Sequence, residues 1–353
     1  MNFRIFIYLI LILFISCDRA AKILTKSDLK VELLTQGPAS SLRGLSVPDD
    51  STFWACGSKG WVGRSVNRGK NIEWKQIKGY EKCDFRSIYA FNAHLAIIAN
   101  AGSPAYILKT NDAGGTWSQV YENTDSLTFI DGITFIDDTN GILIGDPMNG
   151  HLLILQTKNA GNSWSIQKSA PIAYPGEACF AASGTSIRTN KKGAIWIGTG
   201  GTHSRVLHSM DFGANWESIE LPMTMGKASQ GIFSVLFTTT TSGIVVGGDY
   251  KNDSLSLENC LLTSDGCKTW NKPEIPPKGY CSCIETITEH QFITTGTKGT
   301  NLSEDDGKTW ATLDTGSFNT VCSSGTGHTV ILAGKKGRIG VLYPKAITTP
   351  IDK

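Results

Sequence analysis

Short apolar runs separated by polar turns fill most of the chain, and several of the clearest runs end in glycine. These runs cover residues 53–57, 141–145, 194–198, 243–247 and 292–296. Runs rich in Val, Ile and Thr, bounded by Gly, Asn and Asp, are typical of β-strands. No helical period is sustained beyond the N-terminal segment. The pattern therefore predicts an all-β fold in which an inner strand, a second strand ending in Gly and a third strand recur.

A polar phrase of eight residues follows the third strand of most of these units. Its cleanest copies, residues 110–117 and 303–310, read Thr-Asn-Asp-Ala-Gly-Gly-Thr-Trp and Ser-Glu-Asp-Asp-Gly-Lys-Thr-Trp. Looser copies lie at 65–74, 157–164, 209–216 and 263–270. The tryptophans that end successive copies are 40 to 54 residues apart. Intervals in this range are typical of propeller blades or of another repeat array.

The residue types of this phrase predict a hairpin turn and not a catalytic site. Ser, Thr and Asp side chains accept hydrogen bonds from nearby backbone N–H groups, and Gly tolerates the positive φ that a tight turn needs. The Trp at the end begins the next strand and covers the turn with its apolar face. We therefore assign structural roles to the acidic residues Asp112, Asp211, Asp265 and Asp305.

Six copies of the phrase leave a seventh unit without one. Residues 329–334 and 338–343 have the pattern of a second and a third strand, with no phrase and no fourth strand after them. Residues 29–34 have the pattern of a strand that precedes the first unit. Pairing of the two ends would remove an open sheet edge. The sequence thus predicts one domain over residues 29–345, a seven-bladed β-propeller whose last blade is closed by an N-terminal strand at 29–35, and a tail at 346–353.

The N-terminus has the features of an export signal. Arg4 supplies a basic start, residues 5–15 are an unbroken apolar run, and Ser16 precedes Cys17. Such a run is too short for a membrane span, which needs about 20 residues. A small residue before Cys resembles the bacterial lipobox; an ordinary signal peptide with an incidental Cys17 is the alternative. We expect a lipoprotein signal peptide at 1–16, lipid on Cys17, a tether to residue 28, and a propeller outside the cytoplasm, lipid-anchored to a bacterial membrane in the periplasm or at the cell surface.

Charge and cysteine content narrow the choice of ligand. The 353 residues carry 33 basic and 31 acidic side chains without a basic block, so nucleic acid is not an expected partner. Eight cysteines remain besides Cys17. Their number is even, and an exported chain meets oxidising conditions, so disulfide bridges could form. We expect most of these cysteines to be buried free thiols, with one or two disulfide bridges among them. Cys281 and Cys283 lack the spacing of a zinc or redox motif, and no metal or cofactor is predicted.

The starts of the seven inner strands differ from one another, as residues of a binding site would. Aligned, they cover residues 42–45, 85–88, 130–133, 177–180, 232–235, 282–284 and 318–321. The second position, expected to face the mouth of the central channel, holds Arg43, Arg86, Asp131, Ala178, Phe233, Ser282 and Asn319. Two arginines beside a carboxylate either recognise an acidic group or neutralise one another. With residues of nearby strands and loops, the predicted partner-binding set is Arg43, Arg86, Asp131, Glu177, Asn319, Trp61 and Arg205.

The repeated phrase resembles the Asp-box, or bacterial neuraminidase repeat, and the mature chain resembles the photosystem II stability/assembly factor family of Asp-box propellers. In such propellers the box joins the third and fourth strands of a blade, opposite the ligand site. The resemblance implies an exported, lipid-anchored scaffold without catalysis, which binds membrane or exported proteins; we expect a monomer. Photosynthetic members share an arginine-rich patch on the propeller. In this chain only Arg43 and Arg86 stand at the corresponding strand starts.

Two other functions stay open. Sialidases also carry Asp-boxes but use six blades, and the residue types of their chemistry are present here in Arg43, Arg86, Arg205, Glu177 and Tyr250 or Tyr280. Asp131 with Glu177 or Asp146 would be the acid and base of another kind of glycosidase. A module that binds surface glycans is the third possibility.

Overall fold

The computed structural model describes residues 29–34 and 37–344. The predicted signal peptide at 1–16, the lipid-attachment residue Cys17, the tether and the tail at 346–353 lie outside the described residues. Two single-turn 3-10 helices, Ser58–Gly60 and Lys335–Gly337, are the helices of the described part. Neither is long and apolar enough to cross a membrane.

The described strands form seven antiparallel sheets, each a propeller blade. Blade 1 consists of β2 (Leu42–Ser46), β3 (Phe53–Gly57), β4 (Trp61–Ser65) and β5 (Glu73–Gln76). Blade 2 consists of β6 (Phe85–Ala90), β7 (Ala96–Asn100), β8 (Ala105–Thr110) and β9 (Ser118–Asn123). Blade 3 consists of β10 (Ile130–Phe135), β11 (Gly141–Met148), β12 (His151–Thr157) and β13 (Ser165–Ile166). The inner strand of each blade contacts the inner strand of the next, and the last contacts the first. The predicted seven-bladed propeller is confirmed.

Blades 4 and 5 depart from the regular order. Blade 4 consists of β15 (Ile187–Thr189), β16 (Ile195–Gly198), β18 (Arg205–Ser209) and β19 (Glu217–Glu220). Blade 5 consists of β20 (Gln230–Phe237), β21 (Gly243–Asp249) and β22 (Cys260–Thr263), with β17 (Gly200–Gly201) and then β14 (Glu177–Ala178) added beside its inner strand. The alignment that placed the fourth inner strand at 177–180 is therefore wrong, because that strand begins at Ile187.

The outer strand of blade 5 is reduced to one bridge, between Leu262 and Asn271. Pro273, Pro276 and Pro277 follow that bridge in sequence. Proline has no N–H to donate to a strand ladder, so a longer outer strand is disfavoured there. The chain turns away instead, and Ile275 bridges to Thr309 in blade 6.

The first and the last strand of the described part share the last blade, as predicted. Blade 6 consists of β23 (Cys283–Thr286), β24 (Phe292–Gly296), β25 (Gly299–Ser303) and β26 (Ala311–Asp314); blade 7 of β27 (Thr320–Ser323), β28 (Val330–Ala333), β29 (Ile339–Pro344) and β1 (Leu29–Leu33). β1 pairs antiparallel with β29, from Leu29 opposite Pro344 to Leu33 opposite Gly340. Leu29 is 4% exposed and packs in a cluster with Phe318 and Leu332.

The repeated phrase closes the connection from the third strand to the fourth. In residues 110–117, the Gly114 N–H donates to Thr110 Oγ1 (3.0 Å) and the Thr116 N–H to Asp112 Oδ1 (2.8 Å). Residues 209–216 and 303–310 repeat these bonds through Asp211 and Asp305. Asn159 accepts the equivalent bond from the Ser163 N–H (3.0 Å). An amide oxygen thus replaces the carboxylate in this turn.

The strand order gives the propeller two distinct faces. Because successive strands of a blade are antiparallel, the repeated turns and the turns between first and second strands lie on one face, which we call the repeat face. The inner strands begin on the opposite face, where the loops between second and third strands also lie. We call this the entry face.

Substitution of Asp112 tests the structural role of the phrase. Its hydrogen bonds with Thr116 and Thr110 lower the pKa of Asp112 to about 2. Because the folded-state pKa lies below the ordinary value, the charge-dependent part of its stabilisation is present at neutral pH and is lost as pH falls toward about 2. At neutral pH we expect Asp112→Ala to have a lower melting temperature than wild type, and Asp112→Asn to have a melting temperature between the two.

Thermal melts of the three proteins at several pH values check this. The gap between wild type and Asp112→Asn should narrow as the pH is lowered from 6 to about 3. Equal melting temperatures for wild type and Asp112→Ala at neutral pH would contradict the assigned role.

Candidate functional site

Three of the predicted site residues occupy equivalent bulges at the starts of inner strands. The pairing register shifts between Leu42 and Gly44, between Phe85 and Ser87, and between Ile130 and Gly132. The residues at these shifts are Arg43, Arg86 and Asp131. A bulge inserts one extra residue and re-aims its side chain. The sequence column thus corresponds to a recurring backbone feature around the channel.

A segment of small residues crosses the channel mouth on the entry face. This crossing segment, residues 179–186, connects β14 to β15. Arg43 Nη1 donates to the Ala182 carbonyl (2.9 Å), the Ser183 hydroxyl donates to the Ser282 carbonyl (2.8 Å), and the Thr185 and Ser234 hydroxyls are 2.6 Å apart. It therefore joins residues of blades 1, 5 and 6 across the axis.

The two arginines remain partly exposed beside this segment. Arg86 Nε donates to Asp84 Oδ2 at 2.7 Å, and the Arg86 side chain is 30% exposed. Burial, and then the positive charge of Arg86, lower the pKa of Arg43. Among the described residues, Asp84 is the one carboxylate that makes a salt bridge to either arginine. The arginine pair, Arg43 and Arg86, thus carries more positive charge than its salt bridge neutralises.

Asp131 makes no salt bridge to either arginine among the described residues. It is fully buried, and neither carboxyl oxygen has a hydrogen-bond partner of normal geometry among the described residues. Burial and then the nearby Asp146 raise its pKa well above the usual value, against the opposing effects of Arg86 and the Ala181 amide. Burial also raises the pKa of Asp146 to about 6. Burial thus disfavours the charged form of Asp131, as expected for a carboxyl group removed from water.

Glu177 and Arg205 form a buried ion pair away from the arginine pair. Arg205 Nε and Nη2 donate to Glu177 Oε1 (2.9 Å) and Oε2 (2.7 Å). The Thr199 hydroxyl donates to Oε1 (2.6 Å) and the Tyr174 N–H to Oε2 (2.8 Å). The Tyr174 ring lies 4.3 Å from the guanidinium carbon. Both oxygens of Glu177 are thus engaged in holding β14 against blade 4.

The remaining predicted residues lie apart from this centre. Asn319 is 6% exposed, and its Nδ2 donates to the Leu42 carbonyl (2.8 Å), which links blade 7 to blade 1. Trp61 begins β4 on the entry face and is half-buried. The structure thus brings Arg43, Arg86 and Asp131 together at the mouth. For the buried members of the predicted set we expect supporting roles, not direct contact with a partner.

An exposed apolar surface on the entry face was not predicted from the sequence. Its side chains are 40–68% exposed and belong to loops around blades 3 to 5. We call it the apolar band: Leu127, Ile172, Tyr174, Met225, Tyr250, Leu255 and Leu257. These residues follow no strand period, so sequence pattern alone offers no signal beyond the length of the loop between β21 and β22.

Two cavities and the thiols lie elsewhere. One cavity of about 980 Å³ lies between blades 5 and 6 on the repeat face, beside the shortened outer strand. Another of about 220 Å³ occupies the channel below the crossing segment. All eight cysteines in the described part are free, and no group of three or more potential ligands there is placed to hold a metal ion.

Comparison with known proteins supports the fold. No protein-family model and no curated protein matches the chain. Two solved structures, YCF48 bound to D1 peptide and YCF48 from Cyanidioschyzon merolae, align with TM-scores of 0.62 at 14% and 15% identity, over 89% of this chain and 96% and 99% of theirs. The WD40 β-propeller domain of Doa1 aligns with a TM-score of 0.60 at 10% identity, over 90% of this chain and 97% of its own. At such identities the likeness establishes the propeller fold.

Glu177→Gln tests the structural role of the buried ion pair. Removing one charge of a buried pair leaves the other uncompensated, which costs about 3–5 kcal/mol. We expect this loss in the free energy of unfolding, measured by urea denaturation. Glu220→Gln, at an exposed carboxylate 3.5 Å from His203, is the matched control and should change stability by less than about 0.5 kcal/mol. A wild-type urea midpoint for Glu177→Gln would refute the assignment.

Proposed function

We propose that this chain is a non-catalytic propeller scaffold that binds protein partners at the centre of its entry face. Arg43 and Arg86 receive an acidic group of the partner. Lipid on Cys17 holds the propeller at a bacterial membrane outside the cytoplasm, where membrane and exported proteins are its partners. The repeated turns, which we identify as Asp-boxes, stabilise the opposite face.

The observation that carries this proposal is the uncompensated charge of the arginine pair. Asp84 makes a salt bridge to Arg86, no described carboxylate makes one to Arg43, and both arginine side chains are partly exposed. Guanidinium groups bind carboxylates through paired, charge-assisted hydrogen bonds. An incoming carboxylate would offset the two effects that lower the pKa of Arg43, which are burial and then the positive charge of Arg86. The bulges hold both arginines on rigid strands, which limits the entropy lost on binding.

The positions of the candidate acids support a scaffold in preference to a glycosidase. Glycoside hydrolysis uses two carboxyl groups that flank the scissile bond. Asp131 is fully buried, and both oxygens of Glu177 are held by Arg205, Thr199 and Tyr174. The segment 179–186 crosses the channel mouth and contacts residues of blades 1, 5 and 6. This arrangement favours recognition of a surface over enclosure of a substrate.

The structural comparison supports the same class of function. A propeller of this fold, YCF48, has been solved bound to D1 peptide. Because one fold serves many functions, the likeness supports protein binding in general and leaves the identity of the partner to experiment.

Charge reversal at the arginine pair tests the proposal. Tagged full-length protein is used to capture partners from detergent-solubilised membranes, with wild type compared with the double variant Arg43→Glu, Arg86→Glu. We expect the partners to be lost from the variant, because like charges then oppose the acidic group. The matched control is Arg68→Glu, Lys70→Glu, which reverses two basic residues of a repeat-face turn and should keep the partners.

Recovery of the same partners by the arginine-pair variant would overturn the proposed site. Anchoring is tested in the same preparation with Cys17→Ser. This variant should leave the membrane fraction and should no longer incorporate a fatty-acid label. Membrane retention of Cys17→Ser would overturn the lipid anchor while leaving the binding site standing.

A further inference from the structure

Most of the loops that carry the apolar band are held next to one another by backbone hydrogen bonds. The Thr202 N–H donates to the Gly176 carbonyl (3.1 Å), and the Gly226 N–H donates to the Gly201 carbonyl (2.8 Å). The Thr224 N–H donates to the Glu258 carbonyl (3.2 Å). Neighbouring loops that carry Tyr174, Met225 and Leu257 are therefore hydrogen-bonded to one another. Large contiguous apolar patches on soluble proteins mark interaction sites.

Aromatic side chains connect this band to the arginine pair. The Phe180 and Phe233 rings stack with centroids 3.8 Å apart, and Tyr280 meets Phe233 edge-on at 4.8 Å. Burial and then Arg86 lower the pKa of Arg43, and the nearby Tyr280 opposes them. The centroid of the Tyr280 ring lies 6.4 Å from that of Tyr250. Tyr250 is 46% exposed and belongs to the band. The positive centre and the apolar surface are thus parts of one face.

The charges around the band favour an acidic partner over a basic one. Asp253 and Glu258 are neutralised by Lys298 and Lys272, each at 3.0 Å. Asp249 is 5% exposed and accepts hydrogen bonds from Gln230 and the Lys251 N–H. Two other basic side chains are exposed and make no salt bridge within the described part of the chain, Lys227 and Lys251. Around Tyr250, Leu255 and Leu257, the apolar area is therefore bordered by unpaired positive charge.

From this juxtaposition we infer that the entry face recognises a protein segment that combines an acidic residue, held by Arg43 and Arg86, with apolar residues that cover the band at Tyr250, Leu255 and Leu257. The inference rests on the proposed function and names the class of partner that it requires. The acidic group supplies orientation, and the buried apolar area supplies most of the affinity.

A displayed library of random 12-residue peptides, panned against the full chain carrying Cys17→Ser, tests the inference. We expect enriched peptides to contain Asp or Glu together with Leu, Ile, Phe, Tyr or Trp. A labelled synthetic peptide of the enriched sequence is then titrated against four proteins by fluorescence anisotropy. These are the parent, Tyr250→Ser with Leu257→Ser, Arg43→Gln with Arg86→Gln, and a control, Ile166→Ser with Met210→Ser.

The control removes two exposed apolar side chains away from the band, one on the outer strand β13 and one in a repeat-face turn. We expect a loss of at least about tenfold in affinity for the band variant, corresponding to about 1.4 kcal/mol, and no change for the control. The arginine variant should also bind weakly, and raising the salt concentration should weaken the parent but not this variant.

The outcomes separate the two proposals. Unchanged affinity of the band variant with loss in the arginine variant would overturn this inference and leave the proposed function intact. Unchanged affinity of the arginine variant would overturn both. Enrichment of peptides without acidic residues, or of none, would overturn the inference, as would band-dependent binding to phosphatidylglycerol vesicles in place of peptides.

Discussion

Pairing between β1 and β29 closes the ring, and the geometry of the entry face depends on that closure. Without this pairing, the edge of β29 would have no partner strand, and blade 7 would be free to move away from blade 1. With Leu29 buried against Phe318 and Leu332, the outer strand holds blade 7 in its place. Asn319 then reaches the Leu42 carbonyl, one residue before Arg43. The strand that closes the ring therefore also fixes the position of a residue at the channel mouth.

Seven blades leave a central channel that must be filled or solvated, and the crossing segment meets that requirement at one end. Its small side chains let the backbone pass near Ser87, and the Ser183 and Thr185 hydroxyls hydrogen-bond to Ser282 and Ser234. Gly184 has φ +73°, and a Cβ there would lie 3.4 Å from the Arg86 carbonyl oxygen. The segment thus serves as packing at the same time as it supplies the acceptor that holds Arg43.

The repeated turns were predictable because they depend on local hydrogen bonds. The ring closure was predictable because the sequence has seven repeat units and only six copies of the phrase. Each turn depends on hydrogen bonds within a few residues, so the phrase itself encodes the conformation. The fourth inner strand was misassigned because Ala178, Cys179 and Phe180 imitate the small-then-apolar pattern of the other strand starts. Only tertiary pairing distinguishes them from Ile187. The prolines after Asn271 are a feature of the sequence that disfavours a full outer strand in blade 5.

The arginine pair was found from the sequence and the apolar band was not, for a physical reason. Arg43 and Arg86 occupy the same backbone position in successive repeats, so aligning the repeats places them together. The band joins loops that differ in length and share no register, so its continuity exists only in the folded chain. The filled channel mouth and part of the apolar band have a common origin in blade 4. The inner strand of blade 4 starts late, at Ile187, so the residues before it are not part of the regular blade. Among these residues, Glu177 binds Arg205, and the segment 179–186 crosses the channel mouth. Ile172 and Tyr174 are exposed at the rim. The irregular blade thus creates a filled mouth and part of an apolar rim on one face, which favours recognition of a partner's surface over enclosure of a small substrate.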